Sequence, residues 1–399
     1  MFYTKTQGIG GRIRQKIEDF VVEELPPTET LHETLQAKRY GKEIGHEKHT
    51  VFWLEKFNWD TNQAIKEIAR KLHISVSRIG IAGTKDKRAV TKQRVSVYGL
   101  APHEVDKIHV EGLRLYNFEE SDRKIQLGES GGNRFIITIR GIELSKDETG
   151  QGLKNIFKEL DGGILNVFGP QRFGEVRELT HLVGLEMLKS NFEQACKIYL
   201  ALAFKGEPEE AVKARIVLWK SWGTKTAYSK ALNMFPMNLR YERAMLDYLQ
   251  QHPKDFGGAI RRLPKRLRKM FINAVQSRIW NDVVEDCIKN KIELKGLKIP
   301  LVGYDTKLNK NDKVQQLIIK NMKELKISAA HFNMKGMPEM ATSGGERESL
   351  LFPNNLSIVE IADDDLNKVK TMTVISFELP SGSYATVVLK EIMKVENHD

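Results

Sequence analysis

Two cysteines in 399 residues, Cys196 and Cys287, are too few to build a disulfide framework, and no CxxC pair offers a thiolate metal site or a redox dithiol. Both fall in apolar-periodic helical stretches and read as small core residues of a protein kept in a reducing compartment. No run reaches the roughly 18 to 20 apolar residues of a helical membrane span. The start, Met1-Phe2-Tyr3-Thr4-Lys5, lacks the apolar segment of a secretory signal, so a soluble, cytoplasmic protein is expected. An acidic excess is missing too: 63 Lys and Arg against 52 Asp and Glu leave a net charge of +11. That balance suits a polyanionic partner, nucleic acid first and an anionic membrane surface second. His46 and His49, with Glu47 between them, have neither HExxH spacing nor a third ligand nearby, and no metal site is assigned. What the chain does have is 41% hydrophobic residues, enough for real cores in two or three domains.

The apolar pattern changes character along the chain. Extended stretches cover residues 12–24 and 50–56, and Asp60 caps a predicted helix with Ala64, Ile65, Ile68, Ala69 and Leu72 at helical spacing. Strands are predicted over 79–82, 93–98, 135–140 and 370–378, and a closing helix over 384–393 with Ser383 as its cap. From 176 onward the chain turns helical, over 178–188, 192–204, 207–219, 239–250 and 264–288, with extended segments returning near 298–302 and 326–332. Strands on both sides of a helical block point to an insertion into one core. The expected architecture is therefore α+β, with residues 1–175 and 351–399 forming the core and residues 176–350 an inserted, helix-rich domain.

The chemistry concentrates in Ile81-Ala82-Gly83-Thr84-Lys85-Asp86-Lys87-Arg88-Ala89-Val90-Thr91-Lys92-Gln93, which sets one carboxylate among cations directly after a strand. The cations favour the ionised carboxylate, and a charged carboxylate can act as a nucleophile. Gly83 permits a turn on which side chains project into a cleft. This Gly-x-Lys-Asp-x-x-Ala-x-Thr-x-Gln string resembles the signature of the TruD family of pseudouridine synthases. Other segments resemble that family in the same order: Arg14 to Glu24, Gly132 to Arg140 with an Asn-x-Phe, Asn166 to Gly174 with Gln-Arg-Phe-Gly, and Leu379 to Thr386. Arg14 stands where the family typically has Lys, which keeps the charge and changes the geometry.

The resemblance implies a pseudouridine synthase-like catalytic core built on a mixed, largely antiparallel sheet, with a TruD-type RNA-binding insertion. It implies an isomerase, an intramolecular transferase acting on uridine in tRNA, with uridine 13 the family's usual target and no cofactor or metal. Asp86 is then the catalytic nucleophile, Asn133 pairs with an edge of the uracil, and Phe135 is a platform for stacking. Lys85 is assigned to a phosphate contact or to holding Asp86 ionised, Arg14 to the same site, and Gln171 and Arg172 to the pocket wall. Independently of the resemblance, Arg261, Arg262, Lys265, Arg266, Arg268 and Lys269 form a dense run of cations suited to an RNA backbone. A non-catalytic RNA-binding or chaperoning protein would use the same surface without turnover, and a glycosidase would need a second carboxylate that the motif does not supply.

Overall fold

The computed structural model describes residues 2–27, 48–174 and 176–395; His46 and Glu47 fall outside them. The chain folds as two compact units, residues 1–164 with 351–399, and residues 165–350.

Unit 1 begins with β1 (Phe20–Leu25), β2 (His49–Phe57), α1 (Thr61–Lys71), β3 (Ile79–Ile81), β4 (Val90–Tyr98), α2 (Pro102–Val105), β5 (Leu113–Ser121), β6 (Gly132–Ile142) and α3 (Lys146–Leu160). The chain leaves it within β7 (Ile164–Leu165). Unit 2 carries α4 (Thr180–Leu188), α5 (Phe192–Ala201), α6 (Glu209–Ser221), α7 (Lys225–Met234), α8 (Arg240–Gln251), α9 (Phe256–Arg261), α10 (Lys265–Lys289), β8 (Lys298–Leu301), α11 (Lys313–Glu324), β9 (Gly345–Glu348) and β10 (Leu350–Leu351). Back in unit 1, β11 (Asn354–Asp363), β12 (Thr371–Leu379) and α12 (Ala385–Met393) close the fold. The class is α+β.

Strands from both ends of the chain make one sheet in the order β11-β12-β6-β1-β4-β2-β5, with β3 paired to β4. β1 and β4 run parallel, and the other paired neighbours antiparallel. β1 and β12 alternate buried and half-buried residues along their length, the signature of a sheet packed on one face. That face carries two apolar clusters. One joins Phe20, Val22, Phe135, Ile137, Ile375 and Phe377 to α3 and α12; the other joins Phe52, Leu54, Val95 and Val97 to Ile65 and Ile68 of α1. Local signals start the helices: the Asp60 carboxylate accepts the Gln63 N–H, and Ser145 and Glu148 form a reciprocal capping box.

Two local expectations are corrected. The last helix starts at Ala385 with Tyr384 at the cap position, so Ser383 lies one residue too early to cap it. Residues 326–332 are not a strand; a 3-10 turn spans Ala329–Asn333 because His331 Nδ1 accepts the Ser328 N–H and curls the chain. Unit 2 begins at Leu165, ahead of the helical composition, because Asn281 of α10 bonds both the N–H and the carbonyl of Phe168 while Arg347 Nε donates to the Asn166 carbonyl. Cys196 and Cys287 are both buried and free. Among the described residues no helix is long and apolar enough to cross a membrane.

Candidate active site

Asp86 lies on the loop that joins β3 to β4, and the loop is fixed through its main chain. The Thr61 hydroxyl, in the first turn of α1, accepts the Lys85 N–H at 2.9 Å and donates to the Lys85 carbonyl at 3.2 Å. Gln93 Nε2 donates to the Gly83 carbonyl at 3.1 Å, and Lys56 Nζ donates to the carbonyl of Asp86 itself. With its backbone held from β2, α1 and β4, the half-exposed Asp86 carboxylate faces solvent from a rigid base.

Arg14 is the cation the structure brings to that carboxylate, with Nη2 at 3.5 Å from Asp86 Oδ2. Its backbone is left-handed, φ 59°, a conformation that costs a non-glycine residue energy unless neighbours impose it. Several do. Arg12 and Arg140 exchange main-chain hydrogen bonds at 2.7 and 2.8 Å, the Asp19 carboxylate accepts the Lys16 N–H at 2.7 Å, and Arg88 donates to the Arg14 carbonyl at 2.8 Å. Behind this turn the buried Arg140 guanidinium binds Asp19 at 2.8 Å and Asp364 at 3.1 Å. Hydrogen bonds from Asn367, Leu366 and Gly141 overcome the burial penalty at Asp364 and depress its pKa to about 2. The Arg14 guanidinium also lies 4.2 Å from the centre of the Phe20 ring.

Lys85 does not reach outward. Its ammonium is buried against Glu24 of β1 at 2.9 Å, with the two side chains 7% and 4% exposed, which corrects its assignment to a phosphate contact. Glu24 offers the buried Lys85 cation its counter-charge. Lys56 was not singled out from the sequence, although it is fully buried and contacts the Asp86 main chain.

Asn133 and Phe135 lie on the same face of β6, in register with Glu24 and Val22 of β1. Asn133 Oδ1 is buried with no protein partner, and so are Thr91 Oγ1, Gln93 Oε1 and Arg14 Nε. Unsatisfied buried polar atoms cost free energy, and two of these belong to residues that contact Asp86 or its loop, Arg14 and Gln93. Phe135 departs from its assignment as an open platform. Its ring is 6% exposed, stacks on Phe377 at 5.4 Å and meets the Phe20 edge at 6.3 Å. The strand register fills one face of the ring with a core neighbour. Phe135→Leu is therefore expected to lower stability by about 1–2 kcal/mol through lost packing. Turnover should fall only a few-fold, through Phe20 and Arg14; a ten- to hundred-fold rate loss at unchanged thermal stability would return the ring to the substrate.

Gln171 and Arg172 belong to unit 2, on a 3-10 turn over Pro170–Arg172, where Gln171 is exposed and the Arg172 guanidinium lies 5.3 Å from the Phe168 ring centre. The basic run divides. Arg268 is buried, bonded to Glu339 at 2.8 Å and to the Leu263 carbonyl, and Lys269 donates to the Ala341 carbonyl. Arg261 also pairs with Glu339, at 3.2 Å. The reason is helical: Arg268 falls on the stripe of α10 shared with Phe271, Ile272 and Val275, so a run that is continuous in sequence is split between core and solvent. Arg262, Lys265 and Arg266 remain exposed, Arg262 over the Tyr248 ring at 4.3 Å. A separate cavity of about 390 Å³ on unit 1, lined by Trp53, Tyr116, Lys92 and Arg134 among others, does not include Asp86. Its cations are already paired, Lys92 with Glu23 at 2.6 Å and Arg134 with Glu378 at 2.8 Å.

A model of the family described as tRNA pseudouridine synthase D (TruD) matches residues 1–298 and 296–392. Proteins named probable tRNA pseudouridine synthase D are similar over nearly the whole chain. That of Methanosarcina acetivorans is 36% identical, covering 99% of this chain and 95% of its own, and that of Methanopyrus kandleri 34%, covering 94% and 96%. A crystal structure of a Methanosarcina mazei protein assigned to TruD superposes with a TM-score of 0.77 at 35% identity, over 99% of this chain and 96% of that one.

Proposed function

The chain belongs to the TruD family of tRNA pseudouridine synthases, and we propose that this isomerase converts uridine 13 of tRNA to pseudouridine with Asp86 as its nucleophile. The observation that carries the reading is the half-exposed Asp86 carboxylate, braced through its main chain and approached by Arg14 at 3.5 Å. In the reaction the N1–C1′ bond of the uridine breaks, the uracil turns, and C5 joins C1′ while the C5 proton leaves to solvent and N1 takes up a proton from solvent. Atoms and electrons balance without an oxidant or reductant. Asp86 either adds to the nucleotide or promotes elimination at its sugar, and in both cases a fixed carboxylate is the required group.

Before that step the base must leave its stack, at a cost of a few kcal/mol. Asn133, with its unpartnered Oδ1, suits the uracil N3–H. That pairing would reject cytosine, whose N3 is an acceptor. Arg14 suits the adjoining phosphate or the carboxylate itself. Catalysis is assigned to unit 1 and a share of the grip on tRNA to unit 2, where Arg172 and the exposed cations of the basic run are available.

The test is tritium release from a tRNA transcript labelled at uridine C5. Release without strand cleavage or base loss is the expected result, and it should vanish when position 13 of the transcript is changed to cytidine. Release that survives that change would move the target elsewhere in the tRNA.

The cations make a separate prediction. Replacing Arg262, Lys265 and Arg266 together with Gln should weaken tRNA binding and make the slope of log K against log salt shallower by roughly two to three units, since each phosphate contact contributes a little under one. Arg268→Gln should leave the slope alone and lower stability, because Arg268 is paired inside the unit. An unchanged slope in the triple variant would mean these charges are only solvated.

A further inference from the structure

We propose that Lys56 is a positioning residue for the isomerisation, setting the attitude of the Asp86 carboxylate by gripping the Asp86 main chain from below. The inference rests on Asp86 being the nucleophile. Lys56 is the penultimate residue of β2, in register with Thr91 of β4, and it shares the helix-covered face with Phe52 and Leu54. Those two residues are apolar, as a packed face demands. Lys56 is 0% exposed on the same face and gives its ammonium to the carbonyl of Asp86.

A fold does not need a cation there. Taking an ammonium out of water costs free energy that one main-chain carbonyl does not return, and burial brings the Lys56 pKa down to about 8. The groups that face it are Asp86, whose charge attracts it, Asp60 at the start of α1, which also attracts it, and Lys85, which repels it and is itself paired with Glu24. The other anchors of the loop, Thr61 and Gln93, are neutral and hold Lys85 and Gly83. Lys56 is thus the charged anchor on Asp86 itself. Fully buried and bonded to the main chain, it acts through Asp86 without touching substrate.

The sign of the stability effect follows from the lowered pKa. Between about pH 8 and the ordinary lysine value the folded chain binds fewer protons than the unfolded chain, so this group makes stability rise with pH across that window. Lys56→Met, of similar length and apolar, should remove that rise and leave the protein as stable as, or more stable than, the parent at pH 7. It should bind tRNA within about two-fold of the parent, yet its single-turnover rate at saturating tRNA should fall by 30-fold or more. The parent's rate should decline as pH passes about 8 and the ammonium discharges. The Lys56→Met rate should be flat across that limb.

A Lys56→Met rate within three-fold of the parent, or a loss that tracks unfolding or weakened tRNA binding, overturns the proposal. So does a variant profile that shows the same alkaline limb as the parent, because the limb would then belong to another group. Asp86→Asn assayed alongside separates the two readings. If it retains turnover, the nucleophile assignment has failed; if it is dead while Lys56→Met is fully active, only the role given to Lys56 is lost.

Discussion

Asp86→Asn is expected to abolish tritium release from C5-labelled tRNA, lowering the rate by about four orders of magnitude or more, while tRNA affinity and thermal stability stay close to the parent's. The amide is nearly isosteric and its oxygen can still accept from Arg14 Nη2, which approaches the carboxylate at 3.5 Å. The loop should not notice the change, because Lys56, Thr61 and Gln93 hold it through the carbonyls and amides of Asp86, Lys85 and Gly83. What disappears is the anion. An amide cannot add to the nucleotide or draw a proton from its sugar, so addition and elimination fail alike. Turnover near the parent's level, with deamidation to Asp excluded by mass spectrometry, would remove Asp86 from the chemistry.

How much of this was legible in the sequence depends on whether the determinant is local. The turn that carries Asp86 is read from its own neighbours, since Gly83 and the flanking cations announce a turn after a strand, whereas the role given to Asp86 rests on the family resemblance of the longer string. The capping of α1 by Asp60 is equally local. Lys56 was missed because its role depends on register: residue 56 reaches residue 86 only after β2 pairs with β4. A lysine interrupting the Phe52 and Leu54 face was the available signal. Lys85 and Arg268 were misjudged for a related reason, as sequence does not tell which way a side chain in a basic run points. The Ser145-x-x-Glu148 capping box that begins α3 was legible and not used. β5 was harder, because an irregularity near Asn117, at φ 54°, slips the alternation so that Leu113, Leu115 and Phe118 pack inward.

In unit 2 the largest stability effect is expected at Arg215, which is fully buried and paired with two carboxylates. Its Nε meets Glu207 at 2.8 Å and its Nη2 meets Glu242 at 2.9 Å, while Nη1 donates to the carbonyls of Tyr199 and Leu200 at the end of α5. Arg177 completes the group, at 3.1 Å from Glu207 and 3.4 Å from Glu242, and burial together with Arg215 lowers its pKa to about 10. Two cations and two anions balance, and they tie α5, α6 and α8 together. Arg215→Met breaks the balance by leaving two buried carboxylates to share one guanidinium, which should cost about 3–5 kcal/mol. For a unit of this size that corresponds to a fall in Tm of roughly 6–20 °C. Adding Glu242→Leu restores neutrality, with Arg177 and Glu207 still paired, and should recover much of the loss. Denaturant titrations of the parent, Arg215→Met and the double variant decide the matter. A single-variant cost below about 1 kcal/mol, or a double variant weaker than the single, would show that the network is held by its hydrogen bonds to the end of α5 and not by its charge balance.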